Sequence, residues 1–394
     1  MSAAAVFGAT PLRTFFHVVL PLTKPGLMAG SLFVVVLGLG EFFTERVIGG
    51  AQHPMLAGLI LRQIDIFQWA SASAIAVALT VLTLITVFAM LRFSICARSN
   101  GRNRTMPFRF VRRLYFTYLA FILAVLYFPF VIMGVLSFQG PRGGHTFPLR
   151  GVSTIWYWKL FHPGQLTKYS DVGEFLGDYI GALERSLVLA GLTMVVSTLL
   201  GLMAAQAFRR RFRGSGVVFY LWLLGIIVPG ITVSLGLALV FQRLGIPLHW
   251  WSTGLAVHVM WTLPFSLIIF LMFFNRFDSS LEDAALTLGA TRWQTFRNVT
   301  LPVMQPAVLT SLLFAFTLSL DEFQRSLLIT GTEQTMPLMV MASVTTRVTP
   351  TLYALGTLTT LLSFVVVGIY LLLLTSSQRR SERLMAGSAR PAMA

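Results

Sequence analysis

The chain has 394 residues, of which 56% are hydrophobic and 11% are charged, and its formal net charge is +16. Soluble domains carry about 25% charged residues, so this composition argues against a soluble globular domain and favours a membrane protein. A single cysteine excludes an internal disulfide, and the six histidines are scattered without ligand spacing, so we expect no metal site and no cofactor.

Eight apolar runs are long enough to cross a bilayer, which requires roughly 20 mostly apolar residues. Their apolar residues are continuous rather than alternating, so we predict an all-α membrane protein and not a barrel. In chain order the predicted spans are 28–48, 69–91, 114–136, 186–208, 217–241, 252–274, 303–329 and 351–375.

The basic residues fall on one side of this predicted topology. The five segments that would face inward carry 20 of the 30 Lys and Arg and four of the 14 acids; they are 1–27, 92–113, 209–216, 275–302 and 376–394. This asymmetry is what the positive-inside rule predicts. We therefore expect both termini to be cytoplasmic, interpret basic runs such as RRRFR at 209–213 as topology anchors, and expect no nucleic-acid partner.

A basic linker divides the chain into two domains of unequal size. Residues 1–95 contain two predicted spans, and 96–113 form a cytoplasmic linker that is rich in arginine and poor in aliphatic residues. Residues 114–376 contain the other six spans, and 377–394 form a cytoplasmic tail. We predict a two-helix domain followed by a six-helix domain.

The first domain repeats part of the second. Residues 3–50 align without a gap to residues 284–331 at an offset of 281, and 19 of these 48 positions are identical. Internal repeats are common in transporters, where two related halves surround one path. The repeat therefore indicates a transporter built from two related halves, of which the first is represented here only by its C-terminal third.

A polar loop at 278–302 separates two of the apolar runs. Ser279 and Glu282 fit a capping box, which predicts the start of a short helix. Gly289 should end that helix, because glycine tolerates the left-handed conformation at a helix end. We expect two short helices joined at this glycine, with small residues exposed to a partner.

The second short helix of this loop has its own signals. Thr291 and Gln294 fit another capping box, so a helix should begin at Arg292. We expect it to end before Pro302, because the residue before a proline disfavours the helical conformation.

This loop resembles the EAA loop of ABC importer permeases. In that pattern an acid and two alanines are followed by three residues and a glycine, and then, after about nine residues and a hydrophobic residue, by Leu-Pro. Here these are Asp283, Ala284, Ala285, Gly289 and Leu301-Pro302. The segments LLFAFTLSLDEF (312–323) and TPTLYALGTLTTLLSF (349–364) are similar to the second permease of spermidine/putrescine importers. LPLTKPGLMAGSL (20–32) and GLGEFF (38–43) resemble the first permease of the same importers.

The resemblance implies a type I ABC importer permease core, called MetI-like, with about eight transmembrane helices. It implies an inner-membrane subunit whose loop docks on a cytoplasmic ATPase dimer and whose path receives solute from a periplasmic binding protein. The implied coupling residues are Glu282, Asp283, Ala284, Ala285, Gly289, Arg292 and Phe296, with Ala3, Ala4 and Gly8 in a candidate second loop. Other members of this class import iron(III), thiamine or aminophosphonates, and these solutes are the alternatives to polyamines.

The first domain departs from the family pattern. Ser2 stands where the acid of the loop should be. The resemblance also implies four helices ahead of this loop in a complete half, and the first domain does not include them. Three explanations remain open: a fused and truncated gene product, missing helices supplied by a separate chain, or a vestigial first domain. In the last case residues 106–394 would pair with another permease or with a second copy of the chain.

Ionisable residues inside a membrane are costly, so those in the predicted spans are candidates for a solute path. A cationic solute would favour carboxylates and aromatic faces. The candidates are Asp321, Glu322, Glu41 and His258. Alternatively, the acids lie at the outer interface, solvated or paired with Arg325 and Arg46, and the histidine makes a structural hydrogen bond across helices.

Two other classes of function remain as alternatives. A channel or ion-coupled transporter needs no ATPase, but it would be expected to carry acids near the midplane of its spans, and we find none there. An inert remnant of a gene fusion is the other alternative. The chain contains no G-x-x-x-x-G-K-[ST] sequence, so we expect that it is not an enzyme and that ATP hydrolysis belongs to a partner.

Overall fold

The computed structural model describes residues 20–44, 55–96, 108–143, 147–162, 178–210, 212–346 and 350–388. Within these ranges the backbone is mostly helical, and the β pairing is limited to an isolated bridge between Gln139 and Val152. The candidate second loop with Ala3, Ala4 and Gly8 lies outside the described residues.

The described helices fall in the following order. They are α1 (Leu20–Gly40), α2 (Leu56–Asp65), α3 (Trp69–Cys96), α4 (Phe108–Leu136), α5 (Ile155–Phe161), α6 (Tyr179–Arg209), α7 (Ser215–Ile227), α8 (Gly230–Arg243), α9 (Leu255–Phe274), α10 (Ser280–Thr287), α11 (Arg292–Thr295), α12 (Leu301–Val303), α13 (Gln305–Leu320), α14 (Met336–Thr346) and α15 (Pro350–Ser388). Two π-helical turns, Trp250–Gly254 and Phe296–Thr300, precede α9 and α12.

Five stretches within the described residues are long and apolar enough to cross a membrane; they comprise all of α6 and α9 and parts of α3, α4 and α15. The number reaches seven if each of two bent helix pairs is one span. This agrees with the predicted all-α membrane fold. Helix α1 begins eight residues before the first predicted span and is not among these seven.

Two of the predicted spans are not single continuous helices over their predicted bounds. The run 217–241 is broken between α7 and α8, which bend by 104° on either side of Pro229. Proline has no backbone N–H for an intrahelical bond, so the break falls there. The run 303–329 ends at Leu320, where α13 stops, because the polar residues that follow form their own turn.

The chain forms two compact units. One comprises residues 1–136 and 227–236, and the other comprises residues 137–226 and 237–394. The first of these units ends with α4 at Leu136, apart from the short segment 227–236. The second unit contains the whole loop 278–302, so the candidate coupling and path residues after 137 can be described within one unit.

The core of the second unit brings α6, α9 and α13 close together through small and hydroxyl-bearing residues. Gly201 lies so near Ser266 that an added Cβ would be 2.6 Å from the Ser266 Cβ. Ser197 and Thr262 share a hydrogen bond of 2.5 Å, and Thr198 and Ser311 share one of 3.0 Å. Small residues permit such close approach between membrane helices, and the hydroxyls satisfy one another across the interface.

The internal repeat continues beyond the aligned 48 residues. At the same offset of 281, the start of α1 corresponds to that of α12, α2 falls on α14 to within one residue, and the start of α3 corresponds to that of α15. The matching helix starts indicate that the two stretches share the same order of helices, although α1 is continuous where α12 and α13 are separate.

Candidate functional site

The polar loop begins with a cap that the sequence did not predict. The side chain of Asp278 accepts a hydrogen bond of 3.0 Å from the backbone N–H of Ser280. The predicted capping box was wrong: Ser279 makes no capping hydrogen bond through its side chain. The carboxylate of Glu282 is instead directed to an arginine, which provides charge-assisted hydrogen bonds that a backbone N–H does not match.

That arginine is Arg209, the last residue of α6. Its two terminal nitrogens donate to the two oxygens of Glu282 at 2.9 and 2.7 Å, and the Thr300 hydroxyl donates to the same carboxylate at 2.5 Å. The guanidinium also lies over the rings of Phe274 at 4.7 Å and Phe277 at 5.3 Å. The hydrogen bonds from Arg209, and secondarily that from Thr300, lower the pKa of Glu282.

Arg209 was missed as a site residue because the sequence suggested only a topology anchor. The available signal was its position: it is the first arginine of the basic run and the last residue of a long apolar helix. Glu282 is one of three acids in a loop that would lie on the same side of the membrane. Sequence alone does not show which arginine the acid contacts.

The turn between the two short helices follows the prediction. Gly289 has φ of +86°, the left-handed conformation that favours glycine, and a Cβ added there would meet nothing within 4 Å. The second capping box is confirmed: Thr291 accepts from the backbone of Gln294 at 3.3 Å and donates its own N–H to the Gln294 side chain at 2.8 Å.

The predicted end of the second helix was wrong. Helix α11 continues through a π-helical turn into α12, which contains Pro302 in its first turn, where no intrahelical N–H bond is required. The helical run Arg292–Val303 then bends by 69° into α13. The loop is therefore joined to the following span through a bent helical connection.

The predicted coupling residues present a mostly exposed surface. Asp283, Ala284, Gly289 and Arg292 are exposed, and Ala285 is half-buried. Two large apolar side chains beside them are also exposed, Leu288 at 88% and Trp293 at 66%. Phe296 differs, because it is half-buried and packs against the core formed by α6, α9 and α13.

The candidate path residues of the second unit form a separate cluster. Asp321 and Glu322 were predicted inside a span, but both follow the end of α13 at Leu320. Glu322 is buried and pairs with buried Arg325 at 3.1 Å, and its other oxygen accepts from the Arg325 backbone N–H at 2.9 Å. The Arg325 guanidinium lies 3.6 Å from the centre of the Trp261 ring.

His258 is buried in the same region, one helical turn before Trp261. Its two ring nitrogens hydrogen-bond the hydroxyls of Ser319 at 2.7 Å and Ser326 at 2.8 Å. The histidine therefore joins α9 to the end of α13 and to the turn that follows, which is the structural alternative considered for it.

Glu41 in the first unit makes a local contact. Its carboxylate accepts hydrogen bonds from the Thr44 backbone N–H at 2.9 Å and from the Thr44 hydroxyl at 3.3 Å.

The coupling and path clusters of the second unit are well separated. His258 of the path cluster and Phe274, which contacts Arg209 in the coupling cluster, are 16 residues apart on α9, or about 24 Å along a helix.

Comparison with known proteins identifies a family. Residues 1–98 and 197–380 match the family described as "Binding-protein-dependent transport system inner membrane component". The match therefore covers more than half of the chain and includes both copies of the internal repeat.

Curated relatives match long parts of the chain. PotC of Haemophilus influenzae, a spermidine/putrescine transport system permease protein, is 33% identical over 261 residues, which cover 66% of this chain and 95% of that protein. PotI of Escherichia coli (strain K12), a putrescine transport system permease protein, is 30% identical over 243 residues, which cover 59% of this chain and 80% of PotI. FbpB 1 of H. influenzae, a putative ferric transport system permease protein, is 26% identical over 80% of this chain and 49% of its own. The chain belongs to the family of binding-protein-dependent transport system inner membrane components and is a multi-pass permease subunit of that family.

Proposed function

We propose that this chain is the membrane-spanning subunit of an ATP-driven importer for polyamines and that the loop 278–302 couples it to a cytoplasmic ATPase dimer. The observation that carries this proposal is the surface of α10. Its small residues Ala284 and Ala285, the acid Asp283 and the turn at Gly289 are held on a helix that is bound to α6 by an ion pair. A rigid exposed helix of this kind suits a groove on a moving partner.

Polyamines are the proposed solute because PotC and PotI, which match this chain at 33% and 30% identity, are named for spermidine and putrescine. The path cluster contains a buried carboxylate and an aromatic face, Glu322 and Trp261, but the Arg325 guanidinium contacts both of them. The choice of solute therefore rests on the named relatives. Asp321 precedes Glu322 directly, and Glu41 is the residue of the first repeat that corresponds to Glu322.

The proposed assembly includes a periplasmic solute-binding protein and a second permease half, which is either another chain or another copy of this one. The chain would lie in the inner membrane with both termini on the cytoplasmic side. A ferric solute is the second candidate, because the relative FbpB 1 is named for ferric transport and aligns with 80% of this chain.

Reconstituted transport tests the proposal. The full chain is placed in liposomes with the ATPase and binding protein encoded beside its gene, and uptake of labelled spermidine, putrescine and iron(III) is measured with ATP or ADP inside. We expect ATP-dependent spermidine or putrescine uptake. ATP-dependent uptake of iron(III) alone would identify iron(III), and not a polyamine, as the solute. Equal uptake with ATP and ADP would contradict an ATP-driven importer.

A variant of the loop tests the coupling role. Ala284→Trp places a large side chain on the exposed face of α10, and we expect it to lose ATPase binding in a pull-down. Leu199→Trp is the matched control, since Leu199 is exposed on the apolar helix α6, outside the loop. Equal ATPase binding by both variants would contradict docking through α10.

A further inference from the structure

Helix α6 is long enough to connect the two faces of the membrane. It has 31 residues, which corresponds to about 46 Å at 1.5 Å per residue. The hydrocarbon core is about 30 Å thick, so both ends of α6 reach beyond it. Each of these ends is bonded to another element of the same unit.

One end of α6 is bound to the coupling loop by Arg209. Helix α10 has no fully buried residue, so apolar packing contributes little to holding it in place. The contact that fixes it is the two-pronged ion pair between Arg209 and Glu282, which has exposed fractions of 24% and 20%. Thr300 joins the same carboxylate, so the pair also fixes the π-helical turn that leads to α12 and α13.

The other end of α6 is bonded to α14 and the residues before it. The Ser186 hydroxyl accepts from the Met336 backbone N–H at 2.8 Å, and the Arg185 side chain donates to the Gln334 carbonyl at 2.9 Å. The hydroxyls of Tyr179 and Ser343 share a hydrogen bond of 3.0 Å. Two direct hydrogen bonds therefore connect this end of α6 to α14, and a third connects it to Gln334 just before α14.

We propose that Arg209 is a positioning residue for coupling: it makes α10 and α6 move as one body, so that displacement of the loop reaches α14 at the opposite face. This inference rests on the proposed function. Arginine suits the role because its planar fork fixes the orientation of a carboxylate as well as its distance. The rings of Phe274 and Phe277 hold the fork in place.

A double-mutant cycle tests this role in the reconstituted full chain. Arg209→Gln, Glu282→Gln and the double variant are compared for solute taken up per ATP hydrolysed. We expect each single variant to lower this ratio by about tenfold or more, within the usual range of coupling between sites. The double variant should be no worse than either single variant, because both remove the same contact. Arg210→Gln and Arg213→Gln are matched controls, since both arginines are exposed in the same basic run.

A distance measurement separates positioning from simple stability. Spin labels are attached at Leu192→Cys on α6 and Leu281→Cys on α10, both exposed positions, with Cys96→Ser removing the native thiol. The distance should be a single narrow population with and without ATP. Arg209→Gln should broaden it, and Arg213→Gln should not.

The outcomes are distinguishable. An unchanged uptake ratio and distance in Arg209→Gln, or effects of the two single variants that multiply in the double variant, would overturn the role of Arg209 while leaving the importer intact. If the wild-type chain shows no ATP-dependent uptake, the proposed function fails and this inference fails with it.

Discussion

Glu41 and Glu322 occupy matching positions in the two repeats and make the same turn. Each carboxylate accepts a hydrogen bond of 2.9 Å from the backbone N–H three residues later, which belongs to Thr44 in the first copy and to Arg325 in the second. In both copies the turn follows the end of a long apolar helix. The shared glutamate thus has a structural role in ending the helix, beside any role in a solute path.

The pair between Glu322 and Arg325 should be costly to break on one side only. Arg325→Met leaves a buried carboxylate without its counter-charge, and we expect the chain to lose about 3–5 kcal/mol of stability. Adding Glu322→Gln to that variant should recover most of the loss, because no buried charge then remains. Thermal unfolding in detergent measures both. Equal stability of the single and double variants would contradict a paired buried charge.

Gly201 should not tolerate a methyl group. Its added Cβ would be 2.6 Å from the Cβ of Ser266, so α6 and α9 would have to separate in Gly201→Ala. We expect a loss of about 1–3 kcal/mol from this overpacking. Gly191 on the same helix is the matched control, because a Cβ there meets nothing within 4 Å, and Gly191→Ala should be neutral or stabilising. Similar unfolding temperatures for the two variants would argue against the close packing of α6 and α9.

Gly289 should be sensitive through its backbone rather than its surroundings. Its φ of +86° costs other residues about 1–2 kcal/mol, although nothing crowds the site. We expect Gly289→Asp to uncouple ATP hydrolysis from uptake while membrane insertion stays normal, and Gly289→Val to be worse. Gly216→Val is the control, since Gly216 also has open space but no left-handed φ. Normal ATP-driven uptake by Gly289→Val would refute the need for this turn.

The ion pair at Glu282 should give a defined pH dependence. The partner Arg209 lowers the pKa of Glu282 in the folded chain, so the pair stabilises the fold fully above the ordinary carboxyl pKa of about 4.3. That contribution is lost as the pH falls through the lowered pKa. The difference in unfolding temperature between wild type and Glu282→Gln should persist above the ordinary carboxyl pKa and shrink as the pH falls below it. Asp283→Asn on the same helix gives the background. A difference that is absent at pH 7 would contradict the pair.

Much of the fold could be predicted because hydropathy and the glycine and capping signals are local. The positions of α6 and α9, the left-handed Gly289 and the capping box at Thr291 follow from neighbouring residues. The early end of α13 could not be predicted, because an apolar run does not show where its helix ends. The partner of Glu282 was missed for a different reason: Arg209 is 73 positions away in the sequence. Long-range pairs depend on packing that no local pattern contains.

The constant offset of 281 between the two repeats has a consequence for how they diverged. Loops usually differ in length between related segments, because they tolerate insertions and deletions. Yet the stretch after α1, residues 41–55, is as long as the stretch after α13, residues 321–335. The two copies have therefore changed by substitution alone over this region. Both copies have retained the length of this stretch together with the glutamate near its start, Glu41 in the first copy and Glu322 in the second.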